Sequence, residues 1–576
     1  MQLRWTAAVC WLGLFSILAS CAPASPAPTA QPGAPVPSRL AAPKRITVAM
    51  LGILPAFWDD IAGRGGVVPG TGQFKGLASA GLVVLDEQNV VRPQLGEYVP
   101  SIEDGNWKVF PDGRMELVWK IRDGVRWHDG QPFTSADLLF SLDLARDKDI
   151  RVLGGPALEL LDTVEAPDDR TLIVTWKKPY IAADAMFGIG SSGSRTSVGP
   201  LPKHVLESQF RDNKANFGEW AYWTTEFVST GPFKLREWVA DSHVLLDAFP
   251  DYVLGRPKVD QIEVKFIPDP STLLANVLAG AVDLTFSRAV SVEQAVSTRD
   301  RWSEGKMVPY INGWTMMYPQ LRAPTPALLG DPQFRRALTM AIDRQQLADI
   351  LTAGLAPAAD AIISPDQPEY PYVQSSIVRY PYDPARSGQI LEGLGINKGA
   401  DGMYSSAGGQ RISIEIRTTT NDANQKAMLA VADGFQRVGL GAEPVVIPVQ
   451  RLQDSQYRAT FPGLELVNQP HGADGFENLL HSANASIAER NYRAPTSSRN
   501  RGAYMNPDYD VLMERYTVTV PIAERMDVMA QLIRLQTDLQ LVMGLYYSVD
   551  AIMMANKLQE VRPAATWNAH EWDVKS

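Results

Sequence analysis

The chain has 576 residues, with 54 Lys and Arg against 64 Asp and Glu, for a formal charge of −10. That acidic balance excludes a nucleic-acid surface, which needs clustered cations to displace counterions, and apolar types at 45% exclude a disordered chain. Both cysteines, Cys10 and Cys21, lie near the N-terminus, so the body has no thiol chemistry, no disulfide and no cysteine-based zinc site. A chain of this length predicts three to four domains or two large lobes.

Residues 1–20 read as a signal peptide. Arg4 is the single charge there, and Ala7 to Ala19 is almost wholly apolar, too short to span a bilayer and right for a secretory core. Leu18-Ala19-Ser20-Cys21 resembles the lipobox of bacterial lipoproteins, which implies cleavage before Cys21 and lipidation of its thiol. Residues 21–43 hold seven prolines from Pro23 to Pro43 among Ala, Ser and Thr, a composition that favours an extended tether over a core. Two acyl chains give the stable anchoring that one does not, and no later apolar run reaches membrane-spanning length.

From Arg45 onward, strand-like and helix-like segments alternate. Ile46 to Leu51, Leu117 to Ile121, Thr171 to Trp176, Val282 to Phe286 and Ile412 to Ile416 read as strands, as does Ala442 to Val449 despite Pro444. Thr134-Ser-Ala-Asp137 is a capping box before Leu138. Asp269-Pro270 and Asp331-Pro332 open helices, with the aspartate as cap and proline at the first helical position. Lys426 to Phe435 is helical, and Met526, Met529, Leu532, Ile533 and Leu539 form one apolar stripe of a long helix. This mixed order predicts an α/β protein of sheets covered by helices. His128, next to the turn Asp129-Gly130, reads as a structural hydrogen-bonding residue rather than a ligand or catalyst.

Several segments together resemble family 5 of the bacterial extracellular solute-binding proteins, the peptide/nickel group serving ABC importers. The strongest runs from Trp119 to Ser141 and contains Arg122-Asp-Gly, Trp127-His-Asp-Gly and Pro132-Phe-Thr-Ser-Ala-Asp137. Others are Gly81 to Asp86, Ser229-Thr-Gly-Pro-Phe-Lys-Leu235, Gly280-Ala-Val-Asp-Leu284, Phe334 to Arg344 and Asn506-Pro-Asp-Tyr-Asp510. The resemblance implies a two-lobed periplasmic-binding-protein fold of type II with an extra subdomain in lobe one. Lobe one would take 44–309 plus 547–576, with the insert near 82–227, and lobe two 310–546. Ligand would sit in the cleft between lobes, captured by hinge closure and delivered to the permease.

By the same resemblance, the expected partners are a peptide or similar small organic solute, the ABC permease and ATPase subunits, and the membrane through Cys21. The protein is expected to be a monomer, outside the cytoplasm, without cofactor and without bound nucleic acid. Peptide binders of the family pin the ligand's ammonium with an aspartate in a lobe-two motif that is absent here; Asp474, within Leu464 to Asn478, is the nearest candidate. Phe57 and Trp58 follow the first strand, where loops face the cleft. Trp314 lies at the expected first crossing, and Arg417 ends a strand where it could pair a ligand carboxylate. Trp220 and Trp223 are weaker aromatic candidates, since core packing accounts for most of the 14 tryptophans. His471 and His481 leave open a nickel, metal-chelate or haem carrier. A hydrolase finds no support, because no Gly-x-Ser-x-Gly, Gly-Lys-Ser/Thr or His-Glu-x-x-His motif occurs.

Overall fold

The computed structural model describes residues 43–58, 68–147, 149–150, 156–189, 198–299, 301–476, 479–492 and 500–575. The expected signal peptide, the lipidation site Cys21 and the proline-rich tether lie outside them.

Ten strands form one mixed sheet: β1 (Arg45–Met50), β2 (Phe233–Val239), β3 (His243–Ala248), β4 (Gln261–Phe266), β5 (Leu284–Thr285), β6 (Gly305–Pro319), β7 (Ser413–Thr418), β8 (Gly441–Val446), β9 (Leu464–Gln469) and β10 (Met543–Ala555). Their spatial order is β8-β7-β9-β6-β10-β5-β1-β4-β3-β2. The two longest strands, β6 and β10, pair antiparallel at the centre. Beyond β10 lies a first lobe that includes β1 to β5, and beyond β6 a second that includes β7 to β9. The chain therefore passes between lobes twice, through one two-stranded ribbon.

Each lobe has its own apolar interior. Ile46, Val48, Phe57, Phe74, Val264 and Leu284 belong to the core of the first, and Phe334, Leu338, Ile414, Phe435 and Leu466 to that of the second. The ribbon feeds both: Ile552 and Met554 of β10 pack with the first core, Met543 and Leu545 with the second. An additional four-stranded sheet, built from Trp107–Val109, Met115–Lys120, Thr171–Trp176 and Leu161–Asp168, packs its own core around Trp119, Trp127, Leu138 and Trp176.

Local chemistry explains the elements. Asp269, Asp331 and Asp343 accept from Thr272 N, Gln333 N and Gln346 N, capping the helices Pro270–Leu278, Pro332–Met340 and Arg344–Leu351. Thr134 and Asp137 form the capping box of the helix Ser135–Arg146. Buried Asp137 also accepts from Lys203 N at 3.0 Å and Trp127 Nε1 at 3.3 Å, tying three segments together. Pro444 is tolerated because β8 is an edge strand, with one side free of ladder bonds. The strand expected over Val282 to Phe286 shortens to two residues, Leu284–Thr285, wedged between β1 and β10.

His128 acts as a clasp. Its Nδ1 accepts from Ser229 N at 3.3 Å, and Nε2 donates to Gly231 O at 3.0 Å. Gly231 is obligatory there, because a Cβ would lie 2.3 Å from the backbone of Ala78. Burial drives the imidazole pKa down from 6.5 to about 4, with Lys234 pushing the same way and Asp129 opposing. The unfolded chain takes up this proton near 6.5 and the folded chain only near 4, so the contribution to stability is complete above pH 6.5 and is lost as pH falls toward 4. Between pH 7.5 and 4.5 the wild type should lose about 2–3 kcal/mol more unfolding free energy than His128→Asn in urea titrations; equal losses would remove the clasp from the pH response.

Candidate functional site: the cleft between the lobes

The crossing ribbon is irregular where it passes between lobes. Ile311 faces Val549 and Gly313 faces Ser548, so Asn312 is an extra residue on β6. Thr315 faces Tyr546 and Met316 faces Gly544, so Leu545 is extra on β10. These are two β-bulges, which interrupt the ladder and bend it. Trp314 lies between them, buried, with its indole N–H unpartnered. Beside it Thr315, Ser548 and Asn468 share a hydroxyl–amide knot: Thr315 Oγ1 and Ser548 Oγ lie 3.1 Å apart, and Asn468 Nδ2 donates to both.

The lobes meet again away from the ribbon. Asn89 Nδ2 of the first lobe donates to Gln367 Oε1 of the second at 3.5 Å, and Ile181 N donates to Thr517 O at 3.0 Å. Gln367 Nε2 in turn lies 3.4 Å from His471 Nε2. Gly472, at φ 82°, lets the backbone pass, since a Cβ would fall 2.4 Å from Gln367 Oε1. Next to this seam is a cavity of about 270 Å³, with Val91, Val99 and Ile181 on one wall and Pro368, Ala473 and Tyr516 on the other.

The interior is acidic. The Tyr310 phenol is pushed up to about 12, first by burial and then by the carboxylates of Asp550, Asp366 and Glu87. Asp550 is buried, which raises its pKa; hydrogen bonds from Asn312 and Ser287, and the charge of Arg288, pull it back. His471 is held below its usual pKa by burial, with Asp366 opposing, so its ring is neutral at pH 7.

The sequence candidates divide. Trp58 is half-buried against the first core, with Lys75 Nζ 5.6 Å from its ring and its indole N–H unpartnered. Phe57 is corrected to a core residue: it is fully buried, stacked on Phe227 at 4.0 Å and tilted against Phe74 at 4.8 Å, so its faces are taken. Trp223 is likewise core, donating to Phe217 O, and Trp220 packs beside it. Arg417 is corrected too. It is buried, its two terminal nitrogens donate to Glu465 Oε2 at 3.0 Å, Tyr457 O and Arg458 O, and it lies over Phe461, so it is sealed away from any ligand carboxylate in the cleft. Asp474 belongs to the short helix Ala473–Phe476 beside the cavity, and its side chain lies outside the described set. His481 caps the turn Ser482–Asn484 and faces Asp510 and Glu514, apart from His471. Among the described residues no group of three His, Cys, Asp or Glu stands together to hold a metal ion, and no helix there is long and apolar enough to cross a membrane. Sequence reasoning missed Asn89, Gln367 and the bulge at Asn312, since nothing local marks them.

Residues 97–485 match the model of the bacterial extracellular solute-binding proteins, family 5 Middle. The chain belongs to this family. A Brucella ovis protein bearing the provisional name of an ABC transporter peptide-binding protein is 30% identical over 347 residues, which span 59% of this chain and 61% of that one. The match thus covers less than two thirds of the relative's length. The fold is that of the oligopeptide-binding protein AppA from Bacillus subtilis, solved with a nonapeptide (20% identity, 93% and 100% of the two chains covered, TM-score 0.66). It is also that of NikZ from Campylobacter jejuni, solved with Ni(L-His) (20% identity, 92% and 100% covered, TM-score 0.70).

The seam can be tested with cysteines, since Cys10 and Cys21 are the only native ones. With both replaced by serine, Asn89→Cys combined with Gln367→Cys should be joined by a short bismaleimide, and no intramolecular product should form with either single variant. A pair that never joins while remaining folded would remove the seam.

Proposed function

We propose that this chain is the solute-binding component of an ABC importer, capturing a peptide-like or similar small organic solute by hinge closure and presenting it to a membrane permease coupled to ATPase subunits. The observation that carries this reading is the bulged two-strand crossing combined with separate, slight contacts between the lobes: the neutral bonds of Asn89 with Gln367 and Ile181 with Thr517, and one exposed ion pair, Lys426 with Glu293 at 3.6 Å. Such an arrangement lets the lobes swing as bodies about a few residues. Ligand that touches both walls then shifts the open–closed equilibrium by its differential affinity. The family membership and the provisional name of the Brucella relative support the same assignment.

In this reading lobe one is 44–309 plus 547–576 with an insert near 82–227, and lobe two is 310–546. Trp58, half-buried, is the aromatic candidate for ligand contact, whereas Trp314 is packed in the second-lobe core and would support the floor of the cleft rather than touch ligand; Asp474 is the nearest acidic candidate for a ligand ammonium. The acidic surroundings of Tyr310 suit a ligand with a cationic end. The protein would act as a monomer outside the cytoplasm, tethered through lipidated Cys21 after removal of residues 1–20.

A second reading, a metal-chelate carrier, is favoured by His471. A buried imidazole kept neutral is the form that ligates a metal, and the structural neighbour NikZ was solved with Ni(L-His).

Purified protein should show a tryptophan fluorescence change and a raised melting temperature with members of a panel of peptides and nickel–histidine chelates. Under the peptide reading Trp58→Ala should weaken binding at least tenfold, and His471→Ala should leave it nearly intact; the reverse pattern selects the chelate reading. No response to any panel member would defeat both. Separately, Cys21→Ala should move the protein from the membrane fraction to the soluble extract of expressing cells, and retention in membranes would refute the tether.

A further inference from the structure

The far end of the second lobe carries a charge imbalance that solute binding does not use. Glu465 of β9 is fully buried within the apolar run Leu464–Val467. It faces Tyr318, near the end of β6, whereas Gln469 at the other end of β9 faces Trp314 at the crossing. Three guanidiniums converge on this one carboxylate. Arg417 Nη2 reaches Oε2 at 3.0 Å, Arg501 Nη1 reaches Oε1 at 2.8 Å, and Arg458 donates to that same oxygen.

Arg417 is tied down at both terminal nitrogens, although its Nε is buried without a partner. Besides Glu465 it donates to Tyr457 O at 3.0 Å and Arg458 O at 2.6 Å, and its plane covers Phe461 at 4.7 Å. Arg458 and Arg501 are not held in this way. Each has five N–H donors, and the hydrogen bonds of both side chains end on the single shared oxygen. The Arg458 Nε is buried without a partner. Their side chains are 15% and 27% exposed, so the pair opens to solvent while Glu465 does not. Arg322, whose neighbour Leu321 bonds Gly502, brings its own carboxylate, Glu489, at 2.6 Å. The sequence from 493 to 499 contains no Asp or Glu to restore the balance. Even with Glu415, whose charge also acts on Arg417, the three guanidiniums outnumber the carboxylates and leave a net positive charge in a partly desolvated place, an expensive arrangement unless a counter-anion completes it.

We propose that Arg458 and Arg501 form a binding site for a small oxyanion of the phosphate or carboxylate class, separate from the solute cleft. Two guanidiniums held together by one oxygen present further N–H forks to solvent, and such forks match the paired oxygens of these anions. The anion would relieve the repulsion among Arg417, Arg458 and Arg501, which together with burial now depresses the Arg458 pKa. It would also tie the helix Ser455–Ala459, which carries Arg458, to the segment that carries Arg501.

The test uses the purified full chain in phosphate-free buffer, titrated with sodium phosphate or sodium acetate against sodium chloride of equal ionic strength. Melting temperature should rise along a saturating curve with one or both oxyanions and not with chloride. Isothermal titration should return one site. Arg501→Gln, at a part-exposed position, should abolish the saturating rise. Arg501→Lys keeps the charge and loses the fork, and should weaken apparent affinity at least tenfold, so a failure of the first variant to fold leaves the second to decide. A rise that never saturates, that chloride reproduces, or that persists unchanged in a folded Arg501 variant overturns the site.

Discussion

Everything in this molecule hangs on one antiparallel strand pair. β6 and β10 carry the chain out of the first lobe and back, and their main-chain hydrogen bonds lie at the centre of a sheet that both lobes share. A continuous ladder would fuse the halves into one rigid slab. The bulges at Asn312 and Leu545 prevent this by removing regular pairing on either side of Trp314. Side chains on the ribbon are divided accordingly: Ile552 and Met554 anchor it in the first core, Met543 and Leu545 in the second. The ends of the ribbon are fixed by apolar burial, and what is left to flex is the short stretch between.

The chemistry of the cleft follows from where the ribbon leaves polar groups. A bulged residue leaves the regular alternation, and Asn312 lies near enough to Asp550 on the neighbouring strand to favour its charged form. Asp550 is thereby kept in a buried place where an unassisted carboxylate would be strongly disfavoured. Thr315, Ser548 and Asn468 likewise satisfy one another across three strands. The floor of the cleft is thus polar, internally bonded and acidic, while the walls near the cavity mix apolar side chains with Asn89, Asp184, Glu369 and Arg525.

Much of the scaffold was legible in the sequence because its signals are local. Asp269-Pro270, Asp331-Pro332 and the capping box at Thr134 act within a turn of their own positions, and Thr171 to Trp176 appears as the strand its alternation predicts. The family motifs located the fold for a similar reason: His128 and Gly231 are fixed by mutual packing, independent of the ligand. The site was far less legible. Arg417 ends its strand where a ligand-facing arginine could stand, and only its distant partner Glu465 shows that it faces a buried ion cluster. The clue was present in Glu465 itself, a charge inside an apolar strand, which demands a buried counterion. Phe57 and Trp58 are adjacent, yet one is sealed in the core and the other is half-buried; a run of two aromatics does not say which will be which. Asn89 and Gln367 are 278 positions apart, and no periodicity couples them.

The weakness of the seam is itself informative. Asn89 and Gln367 are neutral and meet at 3.5 Å, Ile181 and Thr517 share a single main-chain bond, and the one ion pair across the lobes among the described residues, Lys426 with Glu293 at 3.6 Å, is exposed on both sides and so contributes little. Each is worth about 1 kcal/mol net at most. Moving an open–closed equilibrium from 1:99 to 99:1 takes about 5.5 kcal/mol, so this seam cannot shut the cleft decisively by itself. The larger share has to come from a guest that touches both walls. A buried ion cluster like that around Glu465, placed across the lobes, would bias the empty protein toward closure and blunt its response to solute. The strongest ion cluster is instead placed at the far end of the second lobe, where it stiffens one body without favouring either position of the hinge.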